Sequence, residues 1–211
     1  MNDLVVEGAT VVVGEVHGTR EIPRAFDQLA RTATCELIVG LELPRDEPLT
    51  SFTTPFWTRD VQDGRSSEAM AELIESLQAR GVRIIAFDVD GSETVERDEA
   101  MSEPLIAARR EHPRAALLVL AGNLHARLVG WSQLPGYVWL AEHLARAIPN
   151  VVAINAIHDG GTAWTCNAVG DLGGVKSVLA HGDANDPAYS SRFRVGPVTA
   201  SPPAISSRSR R

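Results

Sequence analysis

The sequence predicts an α/β fold: one domain with a mostly parallel central sheet, helices on both of its faces, and the functional site at the carboxyl ends of the strands. Three observations predict this. Short apolar runs of strand length alternate with stretches whose apolar residues recur at helical spacing. Within the runs apolar residues follow one another without alternation, as in strands buried on both faces. Two runs lead into the same tetrapeptide pattern, Gly14-Glu15-Val16-His17 and Gly122-Asn123-Leu124-His125. In an open parallel sheet ligands gather beyond the carboxyl ends of strands, where glycine lets the backbone turn sharply and approach a bound group.

The first run covers residues 9–13 and meets the first Gly-x-x-His. Ile22, Phe26, Leu29 and Ala33 then mark a helix, with Pro23 early enough that its missing N–H costs nothing. A second strand, 36–41, leads into Glu42-Leu43-Pro44, and an irregular segment rich in Pro, Thr and Asp follows from Asp46 to about Arg65. Met70, Leu73, Ile74 and Leu77 define the next helix, with Ser66 or Ser67 to cap it and Gly81 to end it.

The third strand, 82–87, ends in Asp88-Val89-Asp90-Gly91. A helix from about 94 to 110 carries Met101, Leu105 and Ala108 on one stripe. The fourth strand, 115–121, meets the second Gly-x-x-His; a helix near 138–148 stops at Pro149-Asn150, and a fifth strand spans 151–157. Residues 164–166 and 175–178 suggest a late hairpin. From Gly196 onward Pro, Ser and Arg dominate without periodicity, which predicts a domain over 1–195 and a disordered tail over 196–211.

Composition narrows the partners. The chain has 211 residues, 44% of them hydrophobic, with a net charge of -7. That balance lacks the basic face a nucleic-acid binder needs, and the predicted partner is a small-molecule or peptide substrate. No apolar stretch approaches the roughly 18 residues of a membrane span, and Met1-Asn2-Asp3-Leu4 lacks the pattern of a secretory signal, so the expectation is a cytoplasmic protein. Cys35 and Cys166 stand apart and read as reduced thiols.

Side by side, the ends of the first four strands present Glu15 and His17, then Glu42, then Asp88 and Asp90, then Asn123 and His125. A structural reading exists for each taken singly. Four strands delivering polar groups to one rim make a site the more economical account, because buried carboxylates are costly unless paired, hydrogen-bonded or metal-bound. His17, His125 and a glutamate, Glu15 or Glu42, match the three-ligand, open-position pattern of catalytic metal sites for a divalent transition metal such as Zn, Mn or Co. The same groups serve equally without metal, one imidazole taking a proton from water while a carboxylate fixes its tautomer.

Arg97 precedes Met101, Leu105 and Ala108 by 4, 8 and 11 residues and so tops the stripe facing the sheet. It is a salt-bridge partner for Glu15, Glu42 or Asp88, a clamp for a developing oxyanion, or both. The 46–65 segment carries Phe52, Phe56, Trp57 and Arg65. It reads either as a lid lining a substrate pocket with Trp57 and Arg65, or as a satellite cluster pinning a long loop. Asp88 and Asn123 join the expected substrate contacts. His112, His143, His158 and His181 read as surface or structural, with His158, which follows a strand, next in line.

With Gly14-Glu15-Val16-His17-Gly18, Gly40-Leu41-Glu42, Arg97-Asp98-Glu99-Ala100-Met101 and Ala121-Gly122-Asn123-Leu124-His125-Ala126 in that order, residues 9 to 168 resemble the superfamily joining erythromycin esterase-like, ChaN-like haem-binding and Tiki/TraB proteins. The ChaN-like branch is the nearest by Gly-Asn-x-His-Ala and the Arg-Asp-x-x-Met step. The resemblance implies a site at the strand ends built from Glu15, His17, Glu42, Arg97 and His125. It implies ester hydrolysis, metal-dependent peptide hydrolysis or haem binding, according to branch. The expectation is a hydrolase of an ester, amide or peptide bond, with haem or another anionic small ligand held without turnover as the alternative.

Overall fold

In the computed structural model, which describes residues 4–58, 64–89, 97–165, 174–180 and 186–204, each of the five apolar runs becomes a strand. They are β1 (Thr10–Glu15), β2 (Leu37–Pro44), β3 (Arg83–Asp88), β4 (Ala116–Gly122) and β5 (Val151–Ile157). The late hairpin forms as β6 (Gly161–Thr165) against β7 (Gly174–Val178), antiparallel. A short edge strand, β8 (Ser191–Arg194), completes a six-stranded sheet in the order β3-β2-β4-β1-β5-β8, all of whose pairings are parallel.

Alternation along the strands divides the core in two. Val11 and Val13 of β1 join Ile22 and Phe26 of α1 (Glu21–Ala30), Trp57 of the short α2 (Pro55–Thr58), and Leu73 and Leu77 of α3 (Glu68–Ala79). Val12, one residue out of phase, faces Met101 and Leu105 of α4 (Arg97–Glu111) and Leu140 and Leu144 of α5 (Leu140–Ala147). Apart from α2, one helix pair thus covers each face. Pro104 inside α4 cannot donate to the Ala100 carbonyl, and the Arg45 guanidinium takes that acceptor instead.

The disordered tail expected from 196 is corrected for residues 196–204. Val198, Ser201 and Ala204 are buried, and the segment bridges to Thr19, Gly161 and Ser67. It also finishes the start of α3. The Glu68 N–H donates to the Pro202 carbonyl at 2.8 Å, the Ala69 N–H to the Ser201 hydroxyl at 2.9 Å, and the Met70 N–H to the Ser67 cap. Three donors that a helix start leaves unpaired are satisfied in this way. Such contacts are made through backbone groups and single serine hydroxyls and leave no periodicity to read. Residues 205–211 lie outside the described residues. Among the described residues no helix is long and apolar enough to cross a membrane.

Candidate active site

Strand register brings the rim together. Glu15 sits opposite Gly122 across the β1–β4 pair, β2 flanks β4, and β3 flanks β2. Glu15, Glu42 and Asp88 therefore collect at one edge of the sheet, where they are 2%, 3% and 5% exposed. Carboxylates this deeply buried need compensating partners.

The chain leaving β1 turns at Gly18, whose carbonyl accepts the N–H groups of Trp164 and Ser201 at 2.9 and 2.8 Å. With φ at 72° and the Trp164 carbonyl oxygen 1.9 Å from where a Cβ would stand, only glycine fits this turn. The turn folds His17 back over its own strand. Its Nδ1 lies 2.9 Å from Glu15 Oε1 and its Nε2 3.8 Å from Glu42 Oε2. His125, from the turn after β4, places Nε2 3.8 Å from Glu42 Oε1 and Nδ1 2.7 Å from the Asp98 carboxylate. Two imidazoles thus face opposite oxygens of a single carboxylate.

Beneath them lies Gly122. Its N–H donates to Glu42 Oε2 at 2.6 Å. A Cβ at this position would stand 3.1 Å from His17 Nε2, 3.4 Å from His125 Cδ2 and 3.5 Å from Glu42 Oε2. The glycine of the second Gly-x-x-His therefore keeps open the space onto which both rings turn.

Arg97, the first residue of α4, directs Nε and Nη2 to Asp88 Oδ1 at 3.1 and 2.8 Å. The same guanidinium reaches Glu42 Oε1 and His125 Nε2, each at 3.5 Å. Arg65 binds the other oxygen of Asp88 and stands 3.8 Å from Glu42 Oε1. Arg97 is thus the expected salt-bridge partner of Asp88 and Glu42, with one edge turned to the imidazole.

The electrostatics follow from this packing. Burial alone would raise the Glu42 pKa, but the charges of His125, His17 and Arg65 and the Gly122 N–H outweigh it and hold the carboxyl at about 2. Burial pushes His125 down; Glu42 and Asp98 overcome this and Arg97 opposes them, leaving the imidazole above its ordinary value. Arg97 is likewise raised, its own desolvation offset by Asp88 and Glu42.

Some expected site residues lie elsewhere or act differently. Trp57 does not line a substrate pocket: it is fully buried and meets Phe52 and Phe56 edge-on at 4.7 and 5.1 Å, inside the core beneath the loop. The satellite-cluster reading of that segment holds for its aromatic residues, while Arg65 reaches the rim. Asn123 enters through its backbone, its N–H donating to the Glu15 carbonyl at 2.9 Å and its carbonyl accepting the Tyr189 hydroxyl at 2.7 Å. His158 is buried at the end of β5 with Nδ1 accepting the Gly160 N–H, a local structural role. Asp90 and His181 lie outside the described residues.

Of the two expected metal sets, the one with Glu15 is not assembled, and in the one with Glu42 each imidazole Nε2 stands 3.8 Å from a carboxylate oxygen. Glu15 stands behind His17, on Nδ1, where it orients the ring, and the Arg97 guanidinium lies beside His125 Nε2. Among the described residues, no group of three His, Cys, Asp or Glu side chains has the geometry to hold a metal ion. For haem, the phenols of Tyr137 and Tyr189 are both pushed up to about 12, chiefly by burial, which disfavours phenolate ligation.

One residue escaped the sequence reading. Asp98 is fully buried and heads the inward stripe of α4, with Met101, Ser102, Leu105 and Ala108 following at 3, 4, 7 and 10 residues. An acid leading an apolar stripe was the signal available for it.

No family model matches the chain, and no curated protein matches it. Among solved structures, the chain is similar to the type III effector HopBA1, with a TM-score of 0.42 and 12% identity over 79% of this chain and 85% of that one. It is also similar to a chain described as bacterial protein toxins, with a TM-score of 0.43 and 17% identity over 82% of this chain. This chain spans 36% of that one.

Proposed function

We propose that the protein hydrolyses an ester, amide or peptide bond of a small-molecule or peptide substrate. The observation that carries this reading is the pair of imidazoles turned toward one carboxylate over Gly122, each 3.8 Å from one Glu42 oxygen. Glu15 accepts the Nδ1 proton of His17, so that Nε2 keeps its lone pair toward the open space and takes a proton from attacking water. Glu42 holds positive charge on the facing rings. The Arg97 edge beside His125 supplies donors for the oxyanion that forms as water adds to the carbonyl.

Four carboxylates, Glu15, Glu42, Asp88 and Asp98, meet two guanidiniums and two imidazoles, which leaves little spare positive charge for an anionic ligand. This supports a neutral acyl bond as the target. We read the chain with the hydrolytic rather than the haem-binding members of the superfamily its motifs resemble, and as a cytoplasmic protein.

Purified protein assayed on a panel of acyl esters, amides and peptides tests the reading. His17→Ala and His125→Ala should each lose at least about 100-fold in kcat/KM while far-UV circular dichroism is unchanged. Undiminished turnover in both variants, or no turnover by the parent on any of the three bond types, overturns it.

A further inference from the structure

We propose that Asp98 is the positioning residue of a second carboxylate–imidazole pair, holding His125 as the acid that protonates the leaving atom while the Glu15–His17 pair works on water. The proposal rests on the hydrolytic reading above.

The two pairs match in distance, although only His17 meets its carboxylate in line for a hydrogen bond. Glu15 Oε1 lies 2.9 Å from His17 Nδ1 and Asp98 Oδ1 lies 2.7 Å from His125 Nδ1. Each ring then turns Nε2 toward a different oxygen of Glu42, at 3.8 Å in both cases. Asp98 is more firmly held than an ordinary surface acid. It has no exposure to solvent, and its second oxygen accepts the N–H of Leu140, the first residue of α5, at 2.9 Å. That N–H has no partner within its own helix, so the contact satisfies a donor at the positive end of α5 and prevents the carboxylate from swinging away.

The Tyr137 phenol lies near the same carboxylate, and burial together with that charge holds its pKa up at about 12. Trp139 closes the side of the His125 ring, edge-on at 6.2 Å. Asp98 Oδ1 and His125 Nδ1, 2.7 Å apart, are both buried, meet off the ideal hydrogen-bonding direction and have no other hydrogen-bond partner among the described residues, so Oδ1 is the acceptor to which an Nδ1 proton turns, leaving Nε2 as the nitrogen exchanging protons with the site.

What separates the two rings is charge. His125 lies between Asp98 and Glu42 and is the less exposed ring, at 15% against 22% for His17. Two nearby carboxylates favour its doubly protonated form, and Arg97, 3.5 Å from Nε2, opposes them.

The chemistry balances. Water gives a proton to His17 Nε2 as its oxygen bonds to the carbonyl carbon. The bond from that carbon to the leaving oxygen or nitrogen then breaks, and the leaving atom takes the proton from His125 Nε2. Acid and alcohol or amine depart; exchange with solvent removes the proton from His17 and restores that of His125. Asp98 touches no reacting atom.

Long-range proton–nitrogen NMR of the histidine rings, titrated in the parent chain, Asp98→Asn and Asp98→Glu, tests this alongside kcat/KM against pH. In the parent, neutral His125 should carry its proton on Nδ1 and titrate above the ordinary range. Asp98→Asn should lower the His125 midpoint by about one unit or more, as expected for loss of an adjacent opposite charge. The alkaline limb of kcat/KM should move to lower pH by the same amount, because an acid must be protonated to act. Asp98→Glu should restore part of both.

An unchanged His125 midpoint in folded Asp98→Asn, or an alkaline limb that stays in place, overturns the proposal. If Asp98→Asn does not fold, the parent spectrum decides: an Nε2-protonated neutral ring, or a midpoint at or below the ordinary value, overturns it. Absence of turnover on every bond type would remove the hydrolytic reading and the acid role with it. The ring titration would still report on the pairing of Asp98 with His125.

Discussion

The Glu42 carboxylate accepts the Gly122 amide across the adjacent strands β2 and β4 at 2.6 Å, and both imidazoles and both guanidiniums of the rim are disposed around that bond. Its consequence for stability has a definite sign. Glu42 titrates at about 2 in the fold against an ordinary 4.5, so its contribution is complete above about 4.5 and disappears as pH falls toward 2. A shift of this size corresponds to on the order of 3 kcal/mol. Urea unfolding followed between pH 2 and 7 should show the loss in that window. Glu42→Gln should flatten the window and cost about 3–5 kcal/mol at neutral pH, because Arg65 and Arg97 lose a buried counter-charge. A pH dependence identical to that of the parent would contradict this.

Gly122→Ala tests the space rather than the charge. The added methyl would lie 3.1 Å from His17 Nε2, tighter than ordinary van der Waals contact, so the ring must move by a few tenths of an ångström. The protein should remain folded with stability changed by less than about 1.5 kcal/mol. Turnover should fall by about 10–100-fold, as small misplacements of reacting groups cost. Full activity would mean that the space over Gly122 is not where the reaction occurs.

Arg97 engages Asp88 through two nitrogens while a third faces His125, a geometry lysine cannot reproduce. Arg97→Lys should therefore lower kcat by about 100–1,000-fold, the usual cost of an oxyanion donor, with a much smaller change in KM. A rise in KM at constant kcat would instead make Arg97 a substrate-binding residue that contributes equally to ground and transition states.

Legibility in the sequence followed the physical origin of each feature. Buried parallel strands announce themselves as unbroken apolar runs, and the glycines at their ends mark where backbone and side chains crowd, so Glu15, His17, Glu42, Asp88 and His125 were readable as one rim. Arg97 sits at the top of the apolar stripe by sequence spacing, but not on the face turned to the sheet. It stands in the first turn of α4 and reaches sideways to Asp88, while the inward stripe is led by Asp98. Trp57 carried no periodicity to separate lid from core, because tertiary packing alone decides between two burials of the same aromatic cluster.

The segment after Gly196 supplies the last prediction. It contributes little apolar face, yet Ser201 has no exposure and its hydroxyl is the acceptor for the buried Ala69 N–H at the start of α3, while its own N–H donates to the Gly18 carbonyl. Gly18 ends the turn that seats His17, so one short segment ties the α3 start to the loop that carries His17. Ser201→Ala keeps the backbone contact and removes only the acceptor. It should cost about 1–3 kcal/mol, the price of an unsatisfied buried donor, and lower Tm by a few degrees with turnover retained. Truncation after Gly196 removes both contacts together with the buried Val198 and Ala204. It should depress Tm well beyond the point variant and weaken the His17–Glu15 pairing, visible as a changed His17 ring signal in the NMR titration. If the truncated chain matched the parent in Tm and in that signal, residues 197–204 would be ornamental to the fold, and the cap they give α3 would carry no weight.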